Sequence, residues 1–307
     1  MGDPNAVTYY AQRLKAKYDI PGKAFFVNNS TVLAPGASLG ANNLAVGDSE
    51  LLPFSTITFA LTACVASRGD AIFVLGPHAE TTTAVMTLSK EGVQIIGLPI
   101  GNRKPRITLN GAVDMFNITA ADCRISNLFC TIVTTDAATA IVNVAAARAR
   151  IDNLQIIPSA TSVNVVDVFT LASGGDDCLI ENCDIRNTVV AVNSFVNIEA
   201  AVARLTLKDN FMFGDVATAG LIDAAVVATQ IRIENNTIGT IGTTIPAGTL
   251  DGNPSGVVDN NRFLGTHTTI ATNFNGGNLL RQSRSFVLEA TDNSVQATNI
   301  IPALDTE

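Results

Sequence analysis

The side chains best suited to chemistry crowd into one stretch: Asp176, Asp177, Glu181, Asp184, Arg186, Lys208 and Asp209. Two carboxyl groups roughly 6.5–9.5 Å apart can hydrolyse a glycosidic bond with inversion, one as acid and the other activating water. Acids on neighbouring levels of a stacked chain would reach that separation, because paired strands lie about 4.8 Å apart. The same residue types also make solvated strand edges and turns. "GGDD", ending at Asp177, has the composition of a tight turn. Which role they take depends on the elements that carry them.

Those elements repeat. Asn182 in "DCLIENCDIRN" has counterparts at Asn127, Asn153, Asp209, Asn235 and Asn260, with gaps of 26, 29, 27, 26 and 25 residues in chain order. Gly97 extends the column by 30 residues. Two positions earlier the residue is always apolar: Ile95, Ile125, Ile151, Ile180, Leu207, Ile233 and Val258. A second column runs through Asn117, Asn143, Thr170, Asn197 and Asp223, each flanked by apolar residues in the alternation of a strand. A period in the twenties means stacked units. Val, Ile, Thr and Asn predominate, and these favour strands over helices. The chain is therefore expected to be all-β, a single-stranded right-handed parallel β-helix (a solenoid). Each marker would sit at a bend between strands, where Gly, Asn and Asp best tolerate a left-handed backbone. Seven marked coils make a stack of roughly 34 Å.

Composition narrows the function. The 307 residues are 47% hydrophobic and 15% charged, with a formal charge of −8. That acidity speaks against a nucleic-acid partner, whose footprint is basic. No apolar run is long enough to cross a membrane, and the start lacks the apolar stretch of a secretory signal, so cytoplasmic synthesis, or a chain in processed form, is expected. The five cysteines, Cys64, Cys123, Cys130, Cys178 and Cys183, include no C-x-x-C pair and no neighbouring histidine. They read as small buried thiols, with no metal site and no cofactor expected. Cys123 and Cys178 would lie two coils apart, too far for a disulfide.

The segment "PFSTITFALTACVASRGDAIFVLGPH", 53–78, resembles the entry of the pectin-lyase-like right-handed β-helix superfamily. There a short helix plugs the open end of the coil and a "GD-x-I-x-V" strand follows. The resemblance implies a plug helix over 54–68, with Phe54, Ile57, Leu61, Cys64 and Val65 on its apolar face and Gly69 ending it. It spans about 50–280 and concerns fold rather than chemistry. Polygalacturonase-like enzymes in that superfamily need a Gly-His-Gly and an Arg-x-Lys in the coil. His78 and His267 do not lie between glycines, and Arg-x-Lys occurs only at Arg13–Lys15. Pectate-lyase-like enzymes use acids for Ca²⁺ and an arginine as base. Asp177, Glu181, Asp184, Arg186, Lys208 and Asp209 are a loose analogue only.

Outside the coil, residues 4–18 read as a helix holding all three tyrosines, and 28–53 as a Gly/Asn/Pro-rich connector after one strand at "KAFFV". The expected organisation is an N-terminal arm and connector (1–52), the β-helix (53–284) and a tail (285–307) that breaks the repeat. No residue is assigned a catalytic role. The resemblance is strongest to non-enzymatic bacteriophage virion β-helices, which implies a homotrimer of head-decoration or tail-spike type within a virion. Tyr9, Tyr10 and Tyr18 would dock it to other virion proteins. The second expectation is a polysaccharide lyase or glycoside hydrolase acting through carboxylates on adjacent coils. The chain has no Trp, and most of its 14 Phe take inward-looking positions, which weighs against a sugar-binding groove. A bacterial surface adhesin fits less well, because no secretory signal is seen.

Overall fold

The computed structural model describes residues 4–31, 38–133, 138–158, 165–224, 226–241, 255–265, 280–283, 286–289 and 295–296. The chain is a right-handed parallel β-helix of about six turns. Six coils each contribute one strand to each of three sheets in turn, and the described residues beyond them add strands to sheets I and II only. Sheet I has ten strands, starting with Ala24–Val27 and Ala71–Leu75. Sheet II also has ten, starting with Ala79–Thr82. Sheet III has six, from Met86–Leu88 to Ile222–Ala224.

The repeat seen in the sequence is the register of this stack. Ile125, Ile151, Ile180, Leu207, Ile233 and Val258 pair in succession within sheet I. All are fully buried. The second column pairs in sheet III as Asn117, Asn143, Thr170, Asn197 and Asp223. Every marker after the first coil is left-handed: Asn127, Asn153, Asn182, Asp209, Asn235 and Asn260 have φ between 52° and 60°. From Asn127 to Asn235 each bend amide donates to the next coil, as Asn182 does to the Lys208 carbonyl at 3.1 Å. Side-chain amides ladder from Asn153 to Asn127 at 2.9 Å and from Asn260 to Asn235 at 2.8 Å. Gly97 is the exception. It lies inside the strand Gln94–Leu98, opposite Val74, and the chain turns only after it. It is glycine for want of space: a Cβ would stand 2.0 Å from the Asn127 carbonyl oxygen.

Two further columns were not legible in the sequence. The residue after each marker points inward. It is Leu128, Leu154 and Cys183 in successive coils, then Asn210, Asn236 and Asn261, all buried. The three asparagines form an internal ladder. Asn236 Oδ1 accepts from the Asn210 backbone N–H and side-chain amide at 2.9 and 3.0 Å, and Asn236 Nδ2 donates to the Leu207 carbonyl at 2.9 Å. A second left-handed bend, between sheets III and I, is built from Asp122, Arg148, Asp177, Arg204 and Gln230. Arg148, Arg204 and Gln230 do not advertise the conformation. Amide bonds from coil to coil hold it, such as Arg148 N–H to the Asp176 carbonyl at 2.8 Å. Arg148 also clasps Asp122, and Arg204 clasps Asp177.

The plug helix α2 is shorter than expected, Ile57–Ala63, capped by Thr56. Phe54, Ile57, Leu61 and Cys64 enter the core, but Val65 is exposed and Gly69 does not end the helix. Three ties decide this. Lys90 Nζ reaches the Leu61, Thr62 and Cys64 carbonyls at 3.0, 2.8 and 2.5 Å, closing the helix C-terminus. Buried Asp70 takes the Val65 amide at 2.7 Å and the Lys23 amide at 2.8 Å. Gly69, at φ 70°, serves the turn into the first coil.

The N-terminal region is part of the packing. Strand Ala24–Val27 pairs in parallel with Ala71–Leu75, extending sheet I by one level. Helix α1, Pro4–Tyr18, lies on the outer face of sheet I, where Leu14 and Ile20 bury Phe26, Phe73 and Ile96. At the other end, Phe286–Glu289 pairs in parallel with Arg262–Gly265, so the coil continues into the stretch expected to be tail. Val295–Gln296 then turns back antiparallel. All five cysteines are buried and free, and burial pushes the thiols of Cys64, Cys130, Cys178 and Cys183 up to about 12. Among the described residues, no helix is long and apolar enough to cross a membrane.

Candidate functional site

The acids that opened the question are occupied. Asp177 is held by Arg204, whose guanidinium keeps the carboxyl below the usual carboxylate range. Asp176 Oδ1 accepts the Ala203 amide at 2.7 Å. Glu181 pairs with Arg150, Asp184 with Arg186 at 2.8 Å, and Asp209 with Lys208 at 3.8 Å. Arg186 also lies over the Phe211 ring at 5.3 Å. Glu181 and Lys208 stand on sheet I, Asp184 and Arg186 on sheet II, and Asp177 and Asp209 on two different bends. The cluster in sequence is thus dispersed around the coil. Among the described residues no three His, Cys, Asp or Glu side chains converge to hold a metal ion.

His78 lies between the strands Ala71–Leu75 and Ala79–Thr82. It is buried, and its Nδ1 accepts the Asn29 amide at 3.1 Å. That places the proton on Nε2, which faces Glu80 Oε2 at 3.1 Å. Glu80 Oε2 also accepts the Ile57 amide at 3.0 Å, at the start of α2. The pair joins the connector, the plug and the first coil. It has the look of an acid–base dyad, but no described nucleophile faces it and it is sealed from solvent.

The three outer faces differ. Sheet I is covered by α1 over its first levels and then laced with ion pairs: Arg124 with Asp152 at 2.6 Å, Arg150 with Glu181, Arg232 with Glu234 at 2.6 Å. Sheet III carries the Asn117–Asp223 column, and several of its buried polar oxygens lack partners among the described residues. Asp114 Oδ1, Asn117 Oδ1, Asn143 Oδ1 and Thr170 Oγ1 are shielded from solvent and have no hydrogen-bond partner among the described residues. Asp167 beside them bonds Ser194 and Asn197 at 2.9 Å each, and burial pushes its carboxyl up. Unpaired buried acceptors are few in native proteins and ask for an explanation.

Sheet II presents the aromatic surface that the sequence had appeared to lack. Phe129, Phe211 and Phe213 alternate outward and are half-buried, with Phe211 and Phe213 stacked at 6.3 Å. Gly239 leaves room for the Phe213 ring, which a Cβ would meet at 2.4 Å. Arg106 lies over Phe129 at 5.6 Å. With Phe26 and Phe73 under α1, five phenylalanines among the described residues face away from the core. Strand alternation alone leaves the choice of face open, which is why they read as inward in sequence.

Of the tyrosines assigned to docking, Tyr18 is committed to its own fold. Its ring packs 5.8 Å from Phe73, because the apolar outer face of sheet I needs a cover. Tyr10 lies 6.5 Å from Phe26 with 36% of its surface exposed. The Tyr9 side chain lies outside the described residues.

No protein-family model matches the chain, and no curated protein does. Among solved structures it is similar to ORF18 of Geobacillus virus E2, at 10% identity and a TM-score of 0.28, over 76% of this chain and 57% of that one. The chain covers less than two thirds of that protein's length, and a likeness this slight carries no argument about fold or function.

Proposed function

We propose that this chain is a structural, non-enzymatic component of a bacteriophage-like virion, of head-decoration or tail-spike type, assembling as a parallel homotrimer. One observation carries the reading. The carboxylates that would do chemistry are spent on ion pairs and bends, while sheet II keeps an outer face of exposed arginines and half-buried phenylalanines. A rigid ladder with such a face suits assembly rather than turnover. Tyr10, still part-exposed on α1, is the docking residue that remains available to other virion proteins.

Mass spectrometry of particles purified on a density gradient tests the location: the chain should travel with the particle at fixed stoichiometry. Its loss into the soluble fraction would overturn the reading. A second reading, a polysaccharide depolymerase, draws on Phe129, Phe211 and Phe213 as stacking surfaces. New reducing ends released from a polysaccharide panel would favour it. Retained activity in an Asp177→Asn/Asp184→Asn variant would show that those acids are not its catalysts.

A further inference from the structure

The three sheets begin differently at the plugged end of the coil. Above sheet I the chain supplies its own cover: the Phe26 N–H donates to the Gly47 carbonyl at 2.7 Å, and the Phe54 N–H to the Phe26 carbonyl at 2.8 Å. At sheet II the Asn29 side chain stands in for a strand, accepting the Ala79 N–H at 3.0 Å and donating to the Ala79 carbonyl at 2.8 Å. Sheet III begins at Met86–Leu88, and among the described residues that strand pairs on one side only. Met86 and Leu88 direct their backbone groups to the next coil. The Met86 N–H donates to the Met115 carbonyl at 3.0 Å, and the Leu88 carbonyl accepts the Thr119 N–H at 3.1 Å. Backbone groups alternate in direction along a strand, so the Thr87 N–H and C=O face the open edge. Beside that edge runs a groove of about 360 Å³ between α2 and the strand. Thr58 and Thr62 of α2 form one wall, and Val85, Thr87 and Ser89 the other. All five are exposed or half-exposed. Lys90 fixes the two walls to each other through the α2 carbonyls.

The occupant is defined by what the edge lacks. A donor and an acceptor on one residue of a strand are matched by an extended polypeptide backbone, which adds as one more strand. A whole coil of a second copy does not fit, because the connector covers sheet I and α2 plugs the core. A single short segment does. Its side chains follow from the ladder it would continue. Met86, Phe116 and Val142 pair in succession and are buried, and Thr87, Asn117 and Asn143 follow them on the outer side. We propose that the open edge of Met86–Leu88 is a docking site for an extended segment of a partner protein, with an apolar residue, a Thr or Asn and a second apolar residue in sequence. The segment adds in parallel above Thr87, its polar residue lying along the hydroxyls of Thr58, Thr62 and Thr87. The site depends on neither the virion reading nor the trimer.

The probe is a fluorescein-labelled peptide DMFNIT, residues 114–119, whose parent segment already pairs with Met86–Leu88 from the other side. Binding to the full chain is read by fluorescence anisotropy, and protection of the Thr87 amide by hydrogen exchange. Saturable binding with slowed exchange at Thr87 is the expected result. Thr87→Pro removes the free donor and leaves the bonds to Met115 and Thr119 in place, and proline is tolerated on an edge strand. It should weaken binding at least tenfold. Thr58→Trp, at an exposed position of α2, fills the groove and should do the same without touching the strand. Both variants are first checked for the wild-type circular dichroism spectrum. A peptide N-methylated at its Ile118 amide, the donor that meets the Thr87 carbonyl, should also bind at least tenfold more weakly. Absence of saturable binding would overturn the proposal, as would binding that survives in a folded variant. Exchange at Thr87 that is already slow in the peptide-free chain would show the edge filled by the chain itself. Protection that rises with chain concentration would show a second copy there. Either result overturns docking of a partner's segment.

Discussion

The coil turns left-handed at two bends, and each solves the same backbone problem differently. Between sheets I and II the bend uses Asn and Asp throughout, residues that tolerate φ near +55° by themselves. Between sheets III and I it uses Asp122, Arg148, Asp177, Arg204 and Gln230. Arg and Gln have no such tolerance, so that bend is imposed from outside, by amide bonds between coils and by arginine–aspartate clasps. The first bend is a local solution backed by an internal asparagine ladder. The second is cooperative, and its side-chain contacts lie in solvent. A sequence position can therefore be structurally specified without carrying a residue that announces it.

The contrast is sharpest where the first bend reaches the core. Asn236→Leu should cost about 2–4 kcal/mol, because Asn210 and the Leu207 carbonyl lose buried partners together. Urea unfolding checks this, and a loss under about 1 kcal/mol would show that the ladder is replaceable by apolar packing, as at Leu154. At the bend itself, Asn153→Leu should cost about 1–3 kcal/mol. It strains the backbone and removes both the ladder bond to Asn127 and the Lys104 contact at 3.0 Å. Asn182→Leu should cost about 1–2 kcal/mol, mainly the strain at φ 54°. If the two lose equal stability, the amide ladder adds nothing to the bend.

The second bend should respond to acid and salt, weakly. Arg148 and Arg204 hold the Asp122 and Asp177 carboxyls below their ordinary value. Such groups contribute stability that is fully present above the unfolded carboxyl value, about 3.9. It is lost as pH falls through the lower folded values. Both pairs are part-exposed, so screening keeps the effect small. Asp122→Asn/Asp177→Asn should have nearly wild-type thermal stability at neutral pH and a shallower decline below pH about 4. An identical acid decline in both chains would show that the clasps are idle. Smallest of all, Arg204→Gly should leave the melting temperature unchanged or slightly raised, since glycine relieves the φ of 61° while an exposed ion pair is given up. A marked drop would mean the clasp, rather than the interstrand amides, holds this bend.

The sequence by itself determined the period, the strand alternation and the first bend. These rest on local chemistry: β-branched residues pack on a pleated surface, and Asn, Asp and Gly accept a left-handed backbone wherever they stand. It determined the plug as well, though Lys90 and Asp70, 26 and 6 residues beyond Cys64, set where α2 stops. Only the tertiary structure decided the rest. Arg148 and Arg204 are left-handed because a neighbouring coil bonds their amides. Asn210, Asn236 and Asn261 point inward because the marker before them takes the bend. Phe211 and Phe213 lie outside because Met212 between them takes the core position, in register with Ile185 and Ile238. Tyr18 covers Phe73 because α1 folds back on sheet I. For Arg148, Arg204 and Tyr18 the deciding partner sits a whole coil or more away along the chain, beyond the reach of any local pattern.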